Sequence, residues 1–285
     1  MAEARIGIIG GSGVYHLEGV DYHDEIDVWT PYGSPSDHVR LGSFAGREIA
    51  FLPRHGRSHK FNPSVVPYQA NIYALKKLGV EWLIAVNAAG SLQMEMKPLD
   101  FVVPDQIIDR TKSRPNTFFD PIAVHVAFAD PFCEHLRQLL IESARECQVN
   151  VHPTGTYVCM EGPLFSTRAE SQMHRSWGAH LIGMTALPEA KLAREAEMCY
   201  AIVAAVTDYD CWHEEDVEID MIMEYLTKNA ENLKQLIKTV LPKIPTTPAT
   251  SCRCSTALAN AVLTRKEDFP EDKKEAFEFL MQKYL

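Results

Sequence analysis

The chain has 285 residues, of which 46% are hydrophobic and 23% charged, a composition typical of globular proteins. Its formal net charge of −10 argues against nucleic acid as a partner, because binding a phosphate backbone requires a basic surface. We find no apolar stretch of the roughly 20 residues that a membrane-spanning helix needs, and the N-terminal apolar run is too short for a signal peptide. We therefore expect a cytoplasmic protein with no membrane partner.

Predicted strands and helices alternate along the chain. Apolar runs that end in small or polar residues predict strands at residues 5–9, 47–53, 81–91, 180–185 and 199–207, and a strand pair or an extended segment at residues 99–109. Helical periodicity predicts helices at residues 67–78, 131–147, 188–197, 221–240 and 270–285. This alternation predicts an α/β fold in which helices flank a single-domain, mixed, largely parallel central sheet.

Ligands of such sheets bind outside the carboxyl ends of the strands. Small or polar clusters fall at five predicted strand ends, residues 10–13, 54–55, 87–91, 184–185 and 208–210, so we place the candidate site there. A Pro/Thr-rich connector at residues 242–250 precedes the last helix. We assign residues 1–245 to the main domain and 246–285 to a C-terminal arm and helix that pack on it.

A glycine-rich turn, GIIGGSG, follows the first strand. Backbone N–H groups in such a turn can hold an anion, and Ser12 adds a hydroxyl. The turn does not fit a dinucleotide fingerprint, because the third glycine of G-x-G-x-x-G, counted from Gly11, would stand at His16. An anion site and a plain tight turn both stay open.

Arg54 and His55 end the second strand, beside Gly56. A guanidinium can bind a phosphate dianion through two parallel hydrogen bonds. The alternative is a solvated basic loop, which so short a cluster usually forms.

Asp208 and Asp210 follow the apolar strand CYAIVAAVT. If the strand continues, side chains two residues apart face the same way, so both carboxylates would point to one place. Close carboxylates resist double ionisation, and the one that keeps its proton can act as a general acid. A helix cap and a calcium loop are the alternatives, and the following Cys211 and Trp212 disfavour a metal.

The segment MEGPLFSTRAES combines capping and binding features. Glu161 is either a capping carboxylate or a ligand group, and Phe165 is able to stack on a ring. Ser166 or Thr167 is the predicted N-cap of a capping box that begins a helix.

Seven cysteines are scattered through the chain, an odd number that disfavours a secreted disulfide scaffold. The sequence contains neither a CxxC pair nor the zinc-finger spacing of Cys and His, so we predict no metal site. Cys252 and Cys254 form a Cys-x-Cys element, and a disulfide between them would close a very tight loop with little entropic gain. Two unpaired thiols in a surface arm are favoured, and a strained disulfide stays open.

Over residues 6–241 the chain resembles the trimeric purine-nucleoside phosphorylases, and within them the 5′-methylthioadenosine phosphorylases. The segments that carry the resemblance are, in order, GIIGGSG, TPYGSPSD, RHGRSHKFNPSVVPYQANIYAL, NAAGSL, IDRTKSRPNTFFD, EGPLFSTRAES, GMTALPEAKLAREA and VTDYDCW. Two parts depart from the family. Leu164 stands where the family often has Arg, so no phosphate contact is assigned there. From about residue 247 the chain matches the animal enzymes poorly, and its Cys-x-Cys element is similar to that of some archaeal relatives.

The resemblance implies a phosphate site and a neighbouring nucleoside site. The residues implied for phosphate are Ser12, Arg54, His55, Asn87, Ala88 and Thr185. Those implied for the nucleoside are Met184 under the ribose, with Asp208, Tyr209, Asp210 and Phe165 at the base. Specificity is assigned to Ser166, and the apolar Ile219 and Ile222, with the ring of His59, are expected to enclose a methylthio group.

The activity implied is phosphorolysis of S-methyl-5′-thioadenosine to adenine and S-methyl-5-thio-α-D-ribose 1-phosphate, in methionine and purine salvage. Members that act on 6-oxopurines carry Asn at the position of Asp208, so Asp208 favours a 6-aminopurine, with Asp208 and Asp210 as the catalytic carboxylates. The alternatives are a broader purine nucleoside phosphorylase, acting on adenosine, inosine or methylthioinosine, and a non-catalytic purine-binding protein. Inorganic phosphate is the co-substrate, no cofactor is expected, and the family implies a homotrimer.

Overall fold

The computed structural model describes residues 4–17, 19–213, 219–246 and 252–285, with the backbone alone for 219–222. Within these residues eleven strands form one mixed sheet. In chain order they are β1 (Ile6–Gly10), β2 (Asp21–Ile26), β3 (Val39–Phe44), β4 (Arg47–Pro53), β5 (Trp82–Ser91), β6 (Phe101–Val102), β7 (Gln106–Arg110), β8 (Val151–His152), β9 (Thr156–Met160), β10 (Leu181–Gly183) and β11 (Cys199–Asp208). The α-helices are α1 (Tyr68–Lys77), α2 (Glu134–Glu146), α3 (Arg168–Ser176), α4 (Glu189–Glu195), α5 (Ile219–Val240) and α6 (Lys274–Met281).

The sheet is largely parallel, as predicted. Its strand order is β2-β3-β4-β1-β5-β10-β9-β7, and β11 pairs with both β5 and β6. The antiparallel pairs are β2–β3, β3–β4, β5–β10 and β6–β11, and the other pairs are parallel. The long strand β5 therefore meets β11 along most of its length and β10 only at its end, where Gly90 faces Ile182.

Helices cover both faces of the sheet because the central strands are apolar on both sides. Successive residues of β1 belong to opposite cores, since Ile8 packs in the cluster that contains side chains of α2 and α5, and Ile9 in the cluster that contains those of α1, α4 and α6. Strands buried on both faces form continuous apolar runs in parallel sheets. The predicted runs at residues 81–91 and 199–207 are such strands.

Several element boundaries differ from the predictions. The helix predicted from residue 67 begins after Pro67, and Gly79 ends it with a positive φ of 90°. The helices predicted from residues 131 and 270 begin later, at Glu134 and Lys274. Strands β2, β3 and β8 were not predicted. The sequence of β2, DYHDEI, is mostly exposed and polar, and its position is determined by pairing with β3.

The C-terminal residues 252–285 pack into the same core as the sheet. Leu258, Phe269, Phe277 and Leu280 belong to the cluster that contains Ile9 of β1. A domain boundary at residue 245 stays a prediction. Of the helices that the structure describes, none combines the length and the hydropathy that crossing a bilayer requires.

The Cys-x-Cys element does not lie in a surface arm. Cys254 is buried and Cys252 is half-buried, and both approach two cysteines from distant parts of the chain, Cys133 and Cys199. The interpretation as surface thiols is therefore wrong. The Sγ atoms of Cys252 and Cys254 are also unbonded in the structure, so no disulfide joins them there.

Candidate active site

The glycine-rich turn packs against the polar end of β4. The amide of Val14 donates to the carbonyl of Gly11 at 3.0 Å and closes the turn. A side chain at Gly11 would collide with the carbonyl oxygen of Val86 and lie 2.9 Å from Nη1 of Arg54. Glycine is therefore required for this close approach, and the next residue, Ser12, is half-buried.

Arg54 is fully buried and forms an ion pair with Glu189. Its Nε donates to Glu189 Oε2 at 2.7 Å, and its Nη2 donates to Oε1 at 2.9 Å. Nη1 donates to the carbonyl of Val86 at 2.9 Å, and Nη2 reaches Asn87 Oδ1 at 3.4 Å. The two-bond contact with phosphate predicted for Arg54 is therefore not what the structure shows, because Glu189 occupies that edge of the guanidinium. A single contact to phosphate stays a prediction.

His55 lies beside this pair as a neutral imidazole. Its Nδ1 is 2.8 Å from the carbonyl oxygen of Phe61, and since a carbonyl only accepts, Nδ1 carries the proton. Burial and the charge of Arg54 lower the pKa of His55 to about 4. Its ring stacks on His59, with centroids 4.3 Å apart. At neutral pH, Nε2 therefore offers a lone pair, which suits a phosphate hydroxyl as donor.

Asn87 and Thr185 connect the middle of β5 to the end of β10. Asn87 Nδ2 donates to Thr185 Oγ1 at 2.8 Å, and both residues are buried. Asn87 also receives the bond from Arg54 described above. Its neighbour Ala88 is half-buried on the same strand. The structure thus brings Arg54, Asn87, Ala88 and Thr185 together, as predicted. Residues 87–91, however, lie within β5 and not beyond its end.

Met184 is positioned by Arg114, a residue that the sequence analysis missed. Arg114 Nη1 donates to the carbonyl oxygens of Met184 and Leu187, at 2.6 Å in each case. Its Nε lies 3.5 Å from Oε1 of Glu161. A side chain at Gly162 would lie 2.6 Å from Met184 Sδ, so that glycine leaves space for the thioether. Nothing in the sequence around this single loop arginine distinguishes it from a surface residue.

The two carboxylates lie together, but not through continued strand geometry. β11 ends at Asp208, and Asp210 has a positive φ of 48°, so the chain turns here. The amide of Asp210 donates to Asp208 Oδ1 at 2.8 Å, and Thr207 Oγ1 donates to Asp208 Oδ2 at 2.7 Å. Burial raises the pKa of Asp208, and the charge of Asp210 adds to this effect. The prediction that both carboxylates meet because the strand continues is wrong, since a turn brings them together.

Asp210 carries a buried carboxylate oxygen, Oδ2, that has no hydrogen-bond partner among the described residues. Both oxygens of Asp208 accept hydrogen bonds from the turn itself. A buried carboxylate oxygen without a partner is costly, and a donor from a ligand removes that cost. Asp210 Oδ2 is therefore able to accept a hydrogen bond from a ligand.

Gly90 underlies both carboxylates and was not identified from the sequence. A side chain there would lie 2.9 Å from Asp208 Oδ1 and 3.4 Å from Asp210 Cβ. Gly90 is three residues beyond Asn87 on β5, which corresponds to about 10 Å along an extended strand. The carboxylates therefore lie about 10 Å from the group formed by Arg54, Asn87 and Thr185, which is about the combined length of a ribose and a base.

Ser166 contacts the residue that follows the acidic pair. Its carbonyl accepts from Cys211 Sγ at 3.2 Å, and its hydroxyl is 3.8 Å from Met160 Sδ. Thr167, and not Ser166, is the N-cap of α3, in the predicted capping box with Glu170. Ser166 is therefore available at the edge of the site.

Four other predicted residues are not joined to this arrangement. The ring of Phe165 is exposed, at 69% of its surface. The hydroxyl of Tyr209 reaches the carbonyl of Met94 at 3.4 Å, and its ring stacks on His213. The side chains of Ile219 and Ile222 lie outside the described residues. Substrate contacts by all four stay predictions.

Comparison with known proteins shows the family to which the chain belongs. The model of the phosphorylase superfamily matches residues 5–242. The S-methyl-5′-thioadenosine phosphorylase of Gloeobacter violaceus is 48% identical, covering 99% of this chain and 96% of its own. That of Koribacter versatilis is 49% identical, covering 99% and 97%.

Solved structures agree as well. A methylthioadenosine phosphorylase from an antarctic soil metagenomic library superposes with a TM-score of 0.92 at 46% identity, over 98% of this chain and 99% of that one. The Schistosoma mansoni methylthioadenosine phosphorylase, in complex with adenine, gives 0.87 at 37% identity, over 91% and 99%. Similarity of sequence and of fold over nearly the whole length makes this chain a member of the phosphorylase superfamily and, within it, of the S-methyl-5′-thioadenosine phosphorylases.

Proposed function

We propose that the chain cleaves S-methyl-5′-thioadenosine with inorganic phosphate, releasing adenine and S-methyl-5-thio-α-D-ribose 1-phosphate. The observation that carries the proposal is the buried Oδ2 of Asp210, which has no hydrogen-bond partner among the described residues. Asp210 lies beside Gly90, which is about 10 Å along β5 from Asn87. A purine that donates a hydrogen bond to this oxygen places its ribose toward Arg54, Asn87 and Thr185. The relatives that cover nearly the whole chain are named for this substrate.

At the phosphate end, the proposed ligands are Ser12, His55, Thr185 and the backbone of Ala88, with the charge of Arg54 behind them. The glycosidic bond breaks through a ribosyl cation-like transition state, as in sugar hydrolysis. A phosphate oxygen then bonds to the anomeric carbon while the bonding electrons pass to the purine nitrogen. Negative charge held beneath the cation lowers the barrier.

Protons balance between the two ends of the site. HPO₄²⁻ loses its proton when it becomes the sugar phosphate ester, and adenine gains one proton on leaving. The neutral His55, with its lone pair on Nε2, accepts a hydrogen bond from the phosphate hydroxyl. At the base, Asp210 Oδ2 accepts a hydrogen bond from the 6-amino group of adenine. The carboxyl of Asp208, whose pKa burial raises, donates to the imidazole-side nitrogen, and its Oδ1 accepts from the backbone amide of Asp210.

The direct test is a phosphate-dependence assay with methylthioadenosine, adenosine and inosine side by side. We expect turnover only with phosphate, and the highest kcat/KM with methylthioadenosine. Comparable kcat/KM with inosine would favour the broader purine nucleoside phosphorylase instead. Undiminished cleavage in phosphate-free buffer would refute phosphorolysis.

One variant tests the phosphate end of the site independently of the base end. Thr185→Val removes one hydrogen bond to a charged ligand, worth about 1.5–3 kcal/mol, so the KM for phosphate should rise roughly 10–100-fold. The KM for the nucleoside should change much less. Thr239→Val, which removes a hydroxyl bonded to the carbonyl of Gln235 on α5, is the matched control and should change neither.

The homotrimer implied by the resemblance is also a proposal. Val65, Leu164 and Phe165 are exposed by 58%, 79% and 69%, on two segments joined by a bond from Ser64 Oγ to the carbonyl of Gly162. Covering such a patch with a second copy of the chain would bury it. Light scattering should give a mass about three times the 32.1 kDa of one chain, and Leu164→Glu should lower it. A monomeric mass would contradict the proposal.

The cytoplasmic location expected from the sequence stays a prediction.

A further inference from the structure

Four cysteine side chains meet at the beginning of β11, far from the candidate active site. Cys133 precedes the first residue of α2, Cys199 is the first residue of β11, and Cys252 and Cys254 lie in a C-terminal 3-10 turn. All four Sγ atoms lie within 4.8 Å of one another, and only Cys252 is not fully buried. Residues separated by up to 121 positions in the sequence therefore converge on one point.

The spacing of these sulfur atoms is that of ligands around one ion. Cys252 Sγ lies 3.4 Å from Cys199 Sγ and 3.7 Å from Cys133 Sγ. Bonded sulfurs in a disulfide are only about 2.05 Å apart. Four sulfurs at the corners of a tetrahedron, each about 2.3 Å from a central zinc, are about 3.8 Å from one another. Thiols are weak hydrogen-bonding groups, so attraction between neutral thiols does not account for the convergence of all four.

Cysteine binds metals as the thiolate, so positive charge near the cluster favours an ion held by four cysteines. Cys133 is the N-cap of α2, a helix of 13 residues whose N-terminus favours negative charge. Two cations interact electrostatically with the cluster, Arg194 with Cys254 and Lys76 with Cys199. Four thiolates around a divalent ion carry a net charge of −2, which these cations partly offset.

We propose that the cluster binds one Zn²⁺ as a closed structural site, with four thiolate ligands from Cys133, Cys199, Cys252 and Cys254. Each thiol loses its proton to solvent as the ion binds, and no oxidation or reduction is involved. A site with four protein ligands has no open position for a substrate. It also lies about 30 Å along β11 from Asp208. The ion would therefore fasten the C-terminal turn to α2 and β11, and would not take part in the reaction.

The first test uses the full-length chain, purified without chelator. Elemental analysis by mass spectrometry should find one zinc per chain. Thiol titration in denaturant with a chelator should count all seven cysteines. Seven thiols without metal would overturn the proposal, and so would fewer than seven thiols without metal, which would instead indicate disulfides.

The second test compares two variants. In Cys252→Ser/Cys254→Ser, two of four ligands are lost, so retention of zinc against a competing chelator should fall at least tenfold. The chelator should lower the Tm of the unmodified protein but not that of this variant. Cys147→Ser changes a half-buried thiol that contacts Thr239, outside the cluster, and should keep its zinc.

A third measurement covers the case in which the double variant fails to fold. Exchange of zinc for Co²⁺ in the unmodified protein should produce the visible absorption of tetrahedral cobalt thiolate. Full zinc retention by the double variant, or Co²⁺ bound without thiolate absorption, would overturn the proposal. Turnover of the zinc-depleted protein, measured well below its Tm, should remain within about twofold.

Discussion

Replacing Glu189 by Gln tests the buried ion pair that underlies the phosphate end of the site. The side chains of Arg54 and Glu189 are 0% and 1% exposed. Glu189 accepts two bonds from Arg54 and a third, at 2.8 Å, from the hydroxyl of Tyr200. The amide of Gln has the same shape as the carboxylate, so the substitution opens no cavity. What it removes is the negative charge opposite a guanidinium that stays protonated.

Removal of one partner from a buried ion pair costs about 3–5 kcal/mol, because the other charge remains buried without compensation. For a chain of this size, 1 kcal/mol corresponds to about 2 °C in Tm. We therefore expect Glu189→Gln to lower the Tm by roughly 6–10 °C. Arg54→Met in the same background should recover part of this loss, since it removes the uncompensated charge.

Thermal unfolding followed by circular dichroism measures the effect. The matched control is Glu146→Gln, whose carboxylate accepts from Lys243 at 2.6 Å on the surface and whose side chain is 58% exposed. Solvent screens such pairs, so the Tm of the control should not change measurably. A shift below about 2 °C for Glu189→Gln, or an equal shift in the control, would refute the reasoning.

Three further predictions concern single residues of the site. Asp208→Asn supplies N–H donors for a 6-oxopurine, so the ratio of kcat/KM for methylthioinosine over methylthioadenosine should rise on the order of tenfold or more, and an unchanged ratio would mean that Asp208 does not read the base. Below pH 6.5 the unfolded chain protonates His55, whereas the folded protein resists this until about pH 4, so acidification over that range should cost about 3 kcal/mol of stability. Urea unfolding at several pH values should show a shallower loss for His55→Gln, and parallel curves would contradict the assignment. Gly90→Ala places a methyl group 2.9 Å from Asp208 Oδ1 and should lower kcat/KM on the order of 100-fold without unfolding the protein, as steady-state kinetics and circular dichroism together would show.

The central strands were predictable because they are buried on both faces. The runs in β5 and β11 contain little but apolar residues, so local composition alone identifies them. The edge strand β2 has no such pattern, since its polar residues become a strand only by pairing with β3. Its existence depends on tertiary structure that no local window contains.

The candidate site likewise contains residues that could be predicted from the sequence and residues that could not. Its polar residues at strand ends, such as Arg54 and Asp208, could be identified because polar groups are unusual beside apolar strands. Their partners could not. Glu189 resembles an ordinary acidic residue in the first turn of α4, and it is 135 positions away from Arg54 in the sequence. The positive φ of Asp210, which replaces the expected strand geometry, likewise depends on the turn formed by the folded chain.

The packing of α6 has a consequence for how the protein is made. Phe277 contacts Phe119, with ring centroids 5.6 Å apart, and Phe279 contacts Tyr73 of α1 at 5.1 Å. The ribosome adds these residues only after all strands of the sheet. At 5–20 residues per second, α6 is completed roughly 4–15 s after Asp208. During that interval the nascent chain displays an apolar face that α6 later covers, which makes it a substrate for chaperones that recognise such surfaces.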